Sequence, residues 1–232
     1  VLTYAPILEA FFLIPVLELF FKPSNKNITE AEEEMSKNDI SYDIILYMFI
    51  PIIYFLIWEF LVSMKEPIST IDKIGRILSM GLICGGFGIN IAHELGHRNT
   101  KYEQFFSKVL LLPSLYMHFF IEHNRGHHKR VSTVEDPSSA RFGENIFSFW
   151  FRAVSFGYLS AWSLENSRLK RNGNNIISLK NEMLLYQLIQ IIFLFSIYYV
   201  FGFELMLYFI CCSVFGFLSV SYTHLRAHET VV

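Results

Sequence analysis

The chain alternates long apolar runs with polar connecting segments. Five of the runs approach or exceed the roughly 20 residues that a helix needs to cross the hydrocarbon core of a bilayer. The longest polar segment covers residues 98–180. This pattern predicts an all-α integral membrane protein, a multi-span bundle in a single domain, with spans at residues 1–21, 44–64, 75–92, 182–201 and 203–220.

The composition supports a membrane protein and excludes some partners. Of the 232 residues, 53% are hydrophobic and 17% are aromatic, and the mean hydropathy is +0.37. Soluble domains contain fewer apolar and more charged residues. A net charge of −2 gives no support for binding nucleic acid, so membrane lipid is the expected surrounding.

Lysine and arginine are concentrated in the segment 98–180. Because positively charged loops remain on the cytoplasmic side of a membrane, this segment is predicted to be cytoplasmic. The glycines of the third span, at positions 81, 85, 86 and 88, are typical of close packing between membrane helices.

Two groups of histidines flank this cytoplasmic boundary. His93 and His97 are one helical turn apart, so they share a helix face. His123 and His127 repeat that spacing, and His128 adds an imidazole from the adjoining face. Imidazole is the commonest metal-ligating side chain, and five exceed the needs of one tetrahedral zinc site. The pattern therefore predicts a larger, two-metal centre at the membrane surface.

Other side chains near these groups are candidates for supporting the ligands. Glu94, Glu122 and Asp136 are predicted to orient ligating imidazoles, as carboxylates beside metal sites commonly do. The alternative for each is an ion pair with a neighbouring arginine or lysine. His118 lies off the helical face of His123, which favours a supporting role over ligation. Asn90 lies one turn before His93 and is expected to line a pocket or bridge helices.

Several function classes fit the histidines in part. The sequence His-Glu-Leu-Gly-His alone fits a membrane zinc metalloprotease with the glutamate as general base, but such an enzyme leaves the second group unexplained. A metal transporter is disfavoured because the histidines lie at one interface rather than along a path through the bilayer.

Longer stretches around the histidines resemble one family. Residues 88–98 (GINIAHELGHR) and 118–128 (HFFIEHNRGHH) are similar to the first two histidine boxes of the membrane alkane 1-monooxygenases. Residues 129–144, with the run VSTVEDPSSAR, and the segments 160–165 (SAWSLE) and 168–173 continue the resemblance. It covers about residues 44–220. The wider superfamily of membrane fatty acid desaturases and hydroxylases shares the boxes but generally not the EDPSSAR continuation.

The resemblance implies a non-haem di-iron monooxygenase of the bacterial inner membrane. Such an enzyme inserts one atom of O₂ into the terminal methyl of a medium- or long-chain alkane, with electrons from rubredoxin and its NAD(P)H-dependent reductase. The five histidines would ligate two iron ions, because oxidation of a strong C–H bond needs a redox-active metal and zinc is redox-inert. The alternative within the superfamily is a desaturase or hydroxylase of another lipid or hydrocarbon chain.

The chain departs from the family at its carboxyl end. The family carries a further histidine region after the last span, and residues 221–232 do not match it. His224 and His228 have helical spacing, but we interpret this segment as a non-native tail on a truncated chain. The expectation from this interpretation is that the 232-residue chain is inactive by itself.

Overall fold

Helices make up the architecture of the described part of the chain. The computed structural model describes residues 2–21 and 39–229, with side chains as far as residue 220, and no strand occurs in these ranges. The helices are α1 Leu2–Phe20, α2 Ile40–Ser63, α3 Thr70–His97, α4 Lys101–Leu111, α5 residues 119–130, α6 Ile146–Arg171, α7 Glu182–Phe201 and α8 Phe203–Glu229. Five of them, α1, α2, α3, α7 and α8, are long and apolar enough to span a membrane. The prediction of an all-α, multi-span membrane protein is confirmed.

Two of the predicted spans begin too late, because side-chain caps start the helices earlier. The Asp39 carboxylate accepts a hydrogen bond from the backbone N–H of Ser41 at 2.9 Å, so α2 begins at Ile40 rather than at residue 44. The Ser69 hydroxyl accepts from the backbone N–H of Asp72 at 3.1 Å and starts α3. Such caps satisfy backbone donors that have no partner within the helix.

Two helices extend beyond the predicted spans. Helix α3 continues through the first histidine pair to His97, past residue 92. The apolar part of α8 is Phe203–Val220, and its backbone continues as a helix to Glu229. The side chains of the predicted tail, residues 221–232, lie outside the described residues, as do Val1 and residues 22–38.

Ion pairs between helix ends show which ends lie on the same side of the bundle. Arg98, just after α3, lies 3.4 Å from Asp43 near the start of α2. At the other end of the bundle, Lys73 near the start of α3 lies 3.7 Å from Glu204 near the start of α8. The end of α3 that bears the histidines is therefore on the same side as the start of α2, and we call this side the histidine end.

Glycines allow α3 and α8 to pack with their backbones in contact. A Cβ atom at Gly81 would lie 2.6 Å from the carbonyl oxygen of Cys212, and one at Gly85 would overlap the backbone of Gly216. The predicted close packing of the third span is therefore specific to one face. Gly86 is not part of it, because a Cβ there would come no closer than 4.0 Å to Leu82.

A short hairpin leads from α3 to the second histidine group. Helix α4 has 11 residues, about 16 Å at 1.5 Å per residue, which is too short to cross a bilayer. The turn after it is held by side chains of the spanning helices: the Ser213 hydroxyl donates to the Pro113 carbonyl at 2.7 Å, and the Gln190 side-chain oxygen accepts from the Met117 N–H at 3.2 Å. These bonds satisfy backbone groups that water does not reach.

Candidate metal centre

The first histidine pair lies at the last two turns of α3. The Nε2 atoms of His93 and His97 are 2.9 Å apart and the ring centroids 4.5 Å apart. Helical i,i+4 spacing places both rings on one face, as predicted from the sequence. The side chains thus converge at the histidine end of the bundle.

The second group lies on a π-helical turn, Glu122–His127, within α5. A π-helix has i,i+5 hydrogen bonds, so residues five apart come together. His123 and His128 are therefore the close pair, with Nε2 atoms 3.0 Å apart. The sequence spacing predicted His123 and His127 as the pair on one face, and the π-turn changes that pairing. Such turns are frequent at functional sites.

The two groups meet across the interface between α3 and α5. The Nε2 atoms of His97 and His123 are 3.2 Å apart. One ring nitrogen from each of four histidines lies within 4.8 Å of the others, and these residues are His93, His97, His123 and His128. We call these four the histidine cluster.

The spacing of the cluster fits a transition-metal ion. Imidazole nitrogens bind such metals at about 2.1 Å, so neighbouring ligands of an octahedral ion would be about 3.0 Å apart. The three Nε2–Nε2 separations within the cluster are 2.9, 3.2 and 3.0 Å. The donor set and its spacing therefore make the cluster a candidate metal site.

His127 is held differently from the other four histidines. Its Nδ1 lies 2.7 Å from an oxygen of Asp136, and both side chains are buried. Burial alone would raise the pKa of Asp136, but hydrogen bonds from His127, Ser139 and the Ser138 N–H hold that pKa below its ordinary value. An ionised carboxylate at Nδ1 favours the tautomer whose Nε2 carries the lone pair. The His127 ring centroid is 5.3 Å from that of His123, beside the cluster.

The two glutamates that precede histidines have different surroundings. Glu94 is 54% exposed and its carboxylate lies 3.0 Å from Arg98, so the ion-pair alternative describes it. Glu122 is buried and pairs with Arg130 at 2.8 Å. Burial raises the pKa of Glu122 to about 7 against the opposing effects of Ser160 and Arg130.

His118 lies apart from the histidine cluster, packed between two aromatic rings. Its ring centroid is 4.6 Å from that of Tyr116 and 5.1 Å from that of Tyr158. Its Nε2 has no hydrogen-bond partner among the described residues. Burial lowers the pKa of His118 to about 4, so the ring is neutral at physiological pH.

A largely apolar cleft opens beside the histidine cluster. His93 and Asn90 contribute to it from α3, and Tyr116, Phe119 and Phe217 are among its aromatic lining. The Asn90 amide donates to the Gly86 carbonyl at 2.7 Å. Asn90 therefore lines a pocket, one of the two alternatives expected for it.

An ion-pair network that the sequence analysis missed fixes α5 against the neighbouring helices. Arg125, between the histidines of the second group, lies 2.9 Å from the fully buried Glu165 of α6 and also pairs with Glu182 of α7. Glu165 is bound in addition by Arg168 at 2.6 Å. The signal that could have found this network was Glu165, which follows Trp162 and Leu164 in the sequence AWSLE, since a charge that becomes buried requires a partner.

Comparison with known proteins identifies the family. The family model described as "Fatty acid desaturase" matches residues 74–230, which include both histidine groups. The chain belongs to the fatty acid desaturase family. The histidine cluster draws its members from both histidine groups inside the matched residues.

Several curated relatives carry a more specific name. The chain is 40% identical over 174 residues to the alkane 1-monooxygenase of Acinetobacter baylyi, covering 74% of this chain and 42% of that protein. It is 35% identical over 174 residues to alkane 1-monooxygenase 1 of Alcanivorax borkumensis, covering 74% and 43%. For the alkane 1-monooxygenase of Ectopseudomonas oleovorans the values are 30% over 217 residues, covering 93% and 54%. The chain spans about half the length of the curated relatives it matches.

Proposed function

We propose that this chain carries part of the active site of a non-haem di-iron alkane 1-monooxygenase. The observation that carries the proposal is the histidine cluster, in which two sequence-distant groups come within 4.8 Å. The names of the similar proteins support alkane hydroxylation as the reaction. The proposed reaction inserts one atom of O₂ into the terminal methyl of a medium- or long-chain alkane.

His93, His97, His123 and His128 would hold iron through their Nε2 atoms. His127 would join them as a fifth ligand, since the Asp136 carboxylate at its Nδ1 favours the tautomer whose Nε2 carries the lone pair. Bound iron would supply the activation of O₂. Two irons per chain are part of the proposal. Asp136 would orient a ligand, and Glu122 would support α5 through Arg130.

The apolar cleft would hold the substrate beside the metal. Its aromatic lining suits a hydrocarbon, because apolar surface is transferred favourably from water into such a site. His93 belongs both to the histidine cluster and to the lining of the cleft. A methyl group at the end of the cleft would therefore lie next to the reacting centre.

The proposed electron donors are rubredoxin and its NAD(P)H-dependent reductase, on the cytoplasmic side of a bacterial inner membrane. The excess of lysine and arginine in residues 98–180 supports this orientation. The threading of the spans supports it too, because these residues follow α3 at the histidine end. Protons and electrons would then arrive from the cytoplasm and substrate from the lipid.

Metal analysis and an activity assay test the proposal. The full-length protein that contains this chain, purified in detergent, should hold two irons per chain. In membranes supplied with rubredoxin, reductase and NADH, it should convert octane or hexadecane to the 1-alkanol. Stoichiometric zinc in place of iron, or iron without alkanol, would contradict the proposal.

A second candidate is oxidation of another lipid or hydrocarbon chain, which the family description favours. The same assay with fatty acyl substrates distinguishes it. The zinc protease alternative has less support, because Glu94, its general base, is exposed and paired with Arg98 rather than directed into the histidine cluster.

A further inference from the structure

A serine hydroxyl bridges two parts of the loop between α5 and α6. The Ser139 Oγ donates to a carboxylate oxygen of Asp136 at 2.6 Å and accepts from the backbone N–H of Ser132 at 2.9 Å. Ser132 has a φ of 63°, in the left-handed region that a non-glycine residue seldom adopts. One hydroxyl therefore ties the start of the loop to the carboxylate that contacts His127.

A buried arginine holds the same loop from the side of α6. Arg152 donates to the Pro137 carbonyl at 2.9 Å and to the Ser139 carbonyl at 2.8 Å. Its guanidinium also binds both oxygens of Glu144, at 2.8 and 2.5 Å. Arg152 is the one charged residue in the apolar run FSFWFRAVSFGY at residues 147–158. A rigid planar fork suits this arrangement of several acceptors, and a lysine could not reproduce it.

The two side chains together fix where the Asp136 carboxylate can lie. The carbonyls on either side of Ser138 are bound by Arg152, while the Ser139 hydroxyl and the Ser138 N–H bind the carboxylate itself. The remaining interaction of that carboxylate is with Nδ1 of His127, at 2.7 Å. These contacts hold the Asp136 carboxylate against Nδ1 of His127 and so contribute to the direction of that ring.

We propose that Ser139 and Arg152 are positioning residues for His127, acting through Asp136. This inference rests on the proposed function, because it takes the histidine cluster and His127 to bind iron. Neither side chain touches His127 or the cluster in any described contact, so any effect on the metal must pass through the loop. Partners beyond the ligands that orient an imidazole typically change metal affinity by about 10- to 100-fold.

The test measures metal affinity apart from activity. Ferrous iron is titrated anaerobically into wild type, Ser139→Ala, Arg152→Lys and Ser139→Thr, all as the full-length protein, in competition with a chelator. Ser139→Ala and Arg152→Lys should each weaken the Kd about tenfold, and Ser139→Thr, which keeps the hydroxyl, should restore it. The absorption spectrum of the cobalt-loaded protein should change in the two weakened variants, because the orientation of a ligand changes.

A matched control separates positioning from loop stability. Thr133→Ala removes another hydroxyl of the same loop, one that donates to the Arg130 carbonyl at 2.6 Å and does not touch Asp136. Its Kd and cobalt spectrum should match wild type. If Arg152→Lys does not fold, the pair Ser139→Ala and Ser139→Thr decides. Wild-type affinity and spectrum in Ser139→Ala would overturn the inference and leave the proposed function intact, whereas a wild type that binds no iron would overturn both.

Discussion

At the scale of single residues, the five histidines near the metal centre fall into two kinds. Four present Nε2 atoms to one another, while His127 is bound through Nδ1 by a buried carboxylate. His118 belongs to neither kind, because its ring packs against Tyr116 and Tyr158. The histidine cluster is thus defined by convergence in space, because His127 and His118 lie near its members in sequence but not within it.

The first prediction compares these histidines by substitution. His97→Ala or His123→Ala removes a nitrogen from the histidine cluster, so bound iron and alkane hydroxylation should both fall below detection in the full-length protein. His118→Ala should keep most of the iron and part of the activity, since His118 supplies packing only. Iron by mass spectrometry and 1-octanol by gas chromatography are the measurements. An equal and complete loss in His118→Ala would place His118 among the ligands.

Sequence alone located the histidines but not how they pair. On an ordinary helix the spacing of His93 and His97 places both rings on one face, and the structure has them there. For the second group the same rule failed, because a π-turn at Glu122–His127 brings His128 to His123. A single extra residue in a helical turn depends on tertiary packing, which periodicity does not report.

At the scale of the elements, the apolar runs predicted the spans, whereas the ion pairs and hydrogen bonds that fix the other helices could not be predicted from them. Residues 182–201 match α7 at both ends, because Asn181 caps the helix and Gly202, at φ 91°, ends it. The ion pairs of Glu165 and the hydrogen bonds of Arg152 join segments that are distant in sequence, so only the folded structure brings the partners together.

The second prediction concerns the packing of α3 against α8. Gly85→Ala places a methyl group where the backbone of Gly216 lies, so the helices must separate and the histidines of α3 shift. We expect a loss of stability of about 2 kcal/mol and weaker iron binding. Gly86→Ala is the control, because its methyl group would meet only the Leu82 side chain, at 4.0 Å, and alanine is more favourable than glycine in a helix by about 0.5–1 kcal/mol. Thermal unfolding in detergent tests the pair, and equal effects of the two would contradict the packing argument.

The third prediction concerns acid sensitivity of the network that holds α5. Burial alone would raise the pKa of Glu165, but Arg168 and the Glu182 N–H hold it below its ordinary 4.5. A carboxylate with a lowered pKa stabilises the fold above its unfolded-state pKa, and this contribution disappears as the pH falls through the folded-state pKa. Wild type should therefore lose stability below about pH 4.5.

Glu165→Gln gives the comparison. It removes the charge that Arg125 and Arg168 share and should cost about 3 kcal/mol at neutral pH. The variant's further loss of stability between pH 6 and a pH below about 4.5 should be smaller than that of wild type, because the titrating carboxylate is gone. Melting temperatures at both pH values measure this. Glu66→Gln, in an exposed turn, should behave as wild type, and identical acid losses in all three proteins would remove Glu165 from the explanation.

At the scale of the whole molecule, the helices place three groups of titratable side chains at the histidine end. These are the histidine cluster, the Asp136 loop and the Glu165 network, while the turn between α2 and α3 and the Lys73–Glu204 ion pair lie at the opposite end. Under the proposed function, chemistry that needs protons and electrons would take place at a single membrane surface. The side of the membrane on which the histidine end lies would therefore decide which electron donor can reach the site.

The last prediction tests this orientation with two single cysteines. Asn172→Cys lies in the exposed segment after α6, at the histidine end, and Glu66→Cys lies in the exposed turn at the other end. Because the excess of lysine and arginine in residues 98–180 favours the cytoplasm, a membrane-impermeant maleimide should label Glu66→Cys in intact spheroplasts. It should label Asn172→Cys only after the cells are opened. The unsubstituted protein gives the background from Cys84, Cys211 and Cys212. The reverse labelling pattern would put the metal centre on the outer face, where a cytoplasmic rubredoxin could not reach it, and would contradict the proposed route of electrons as well as the topology.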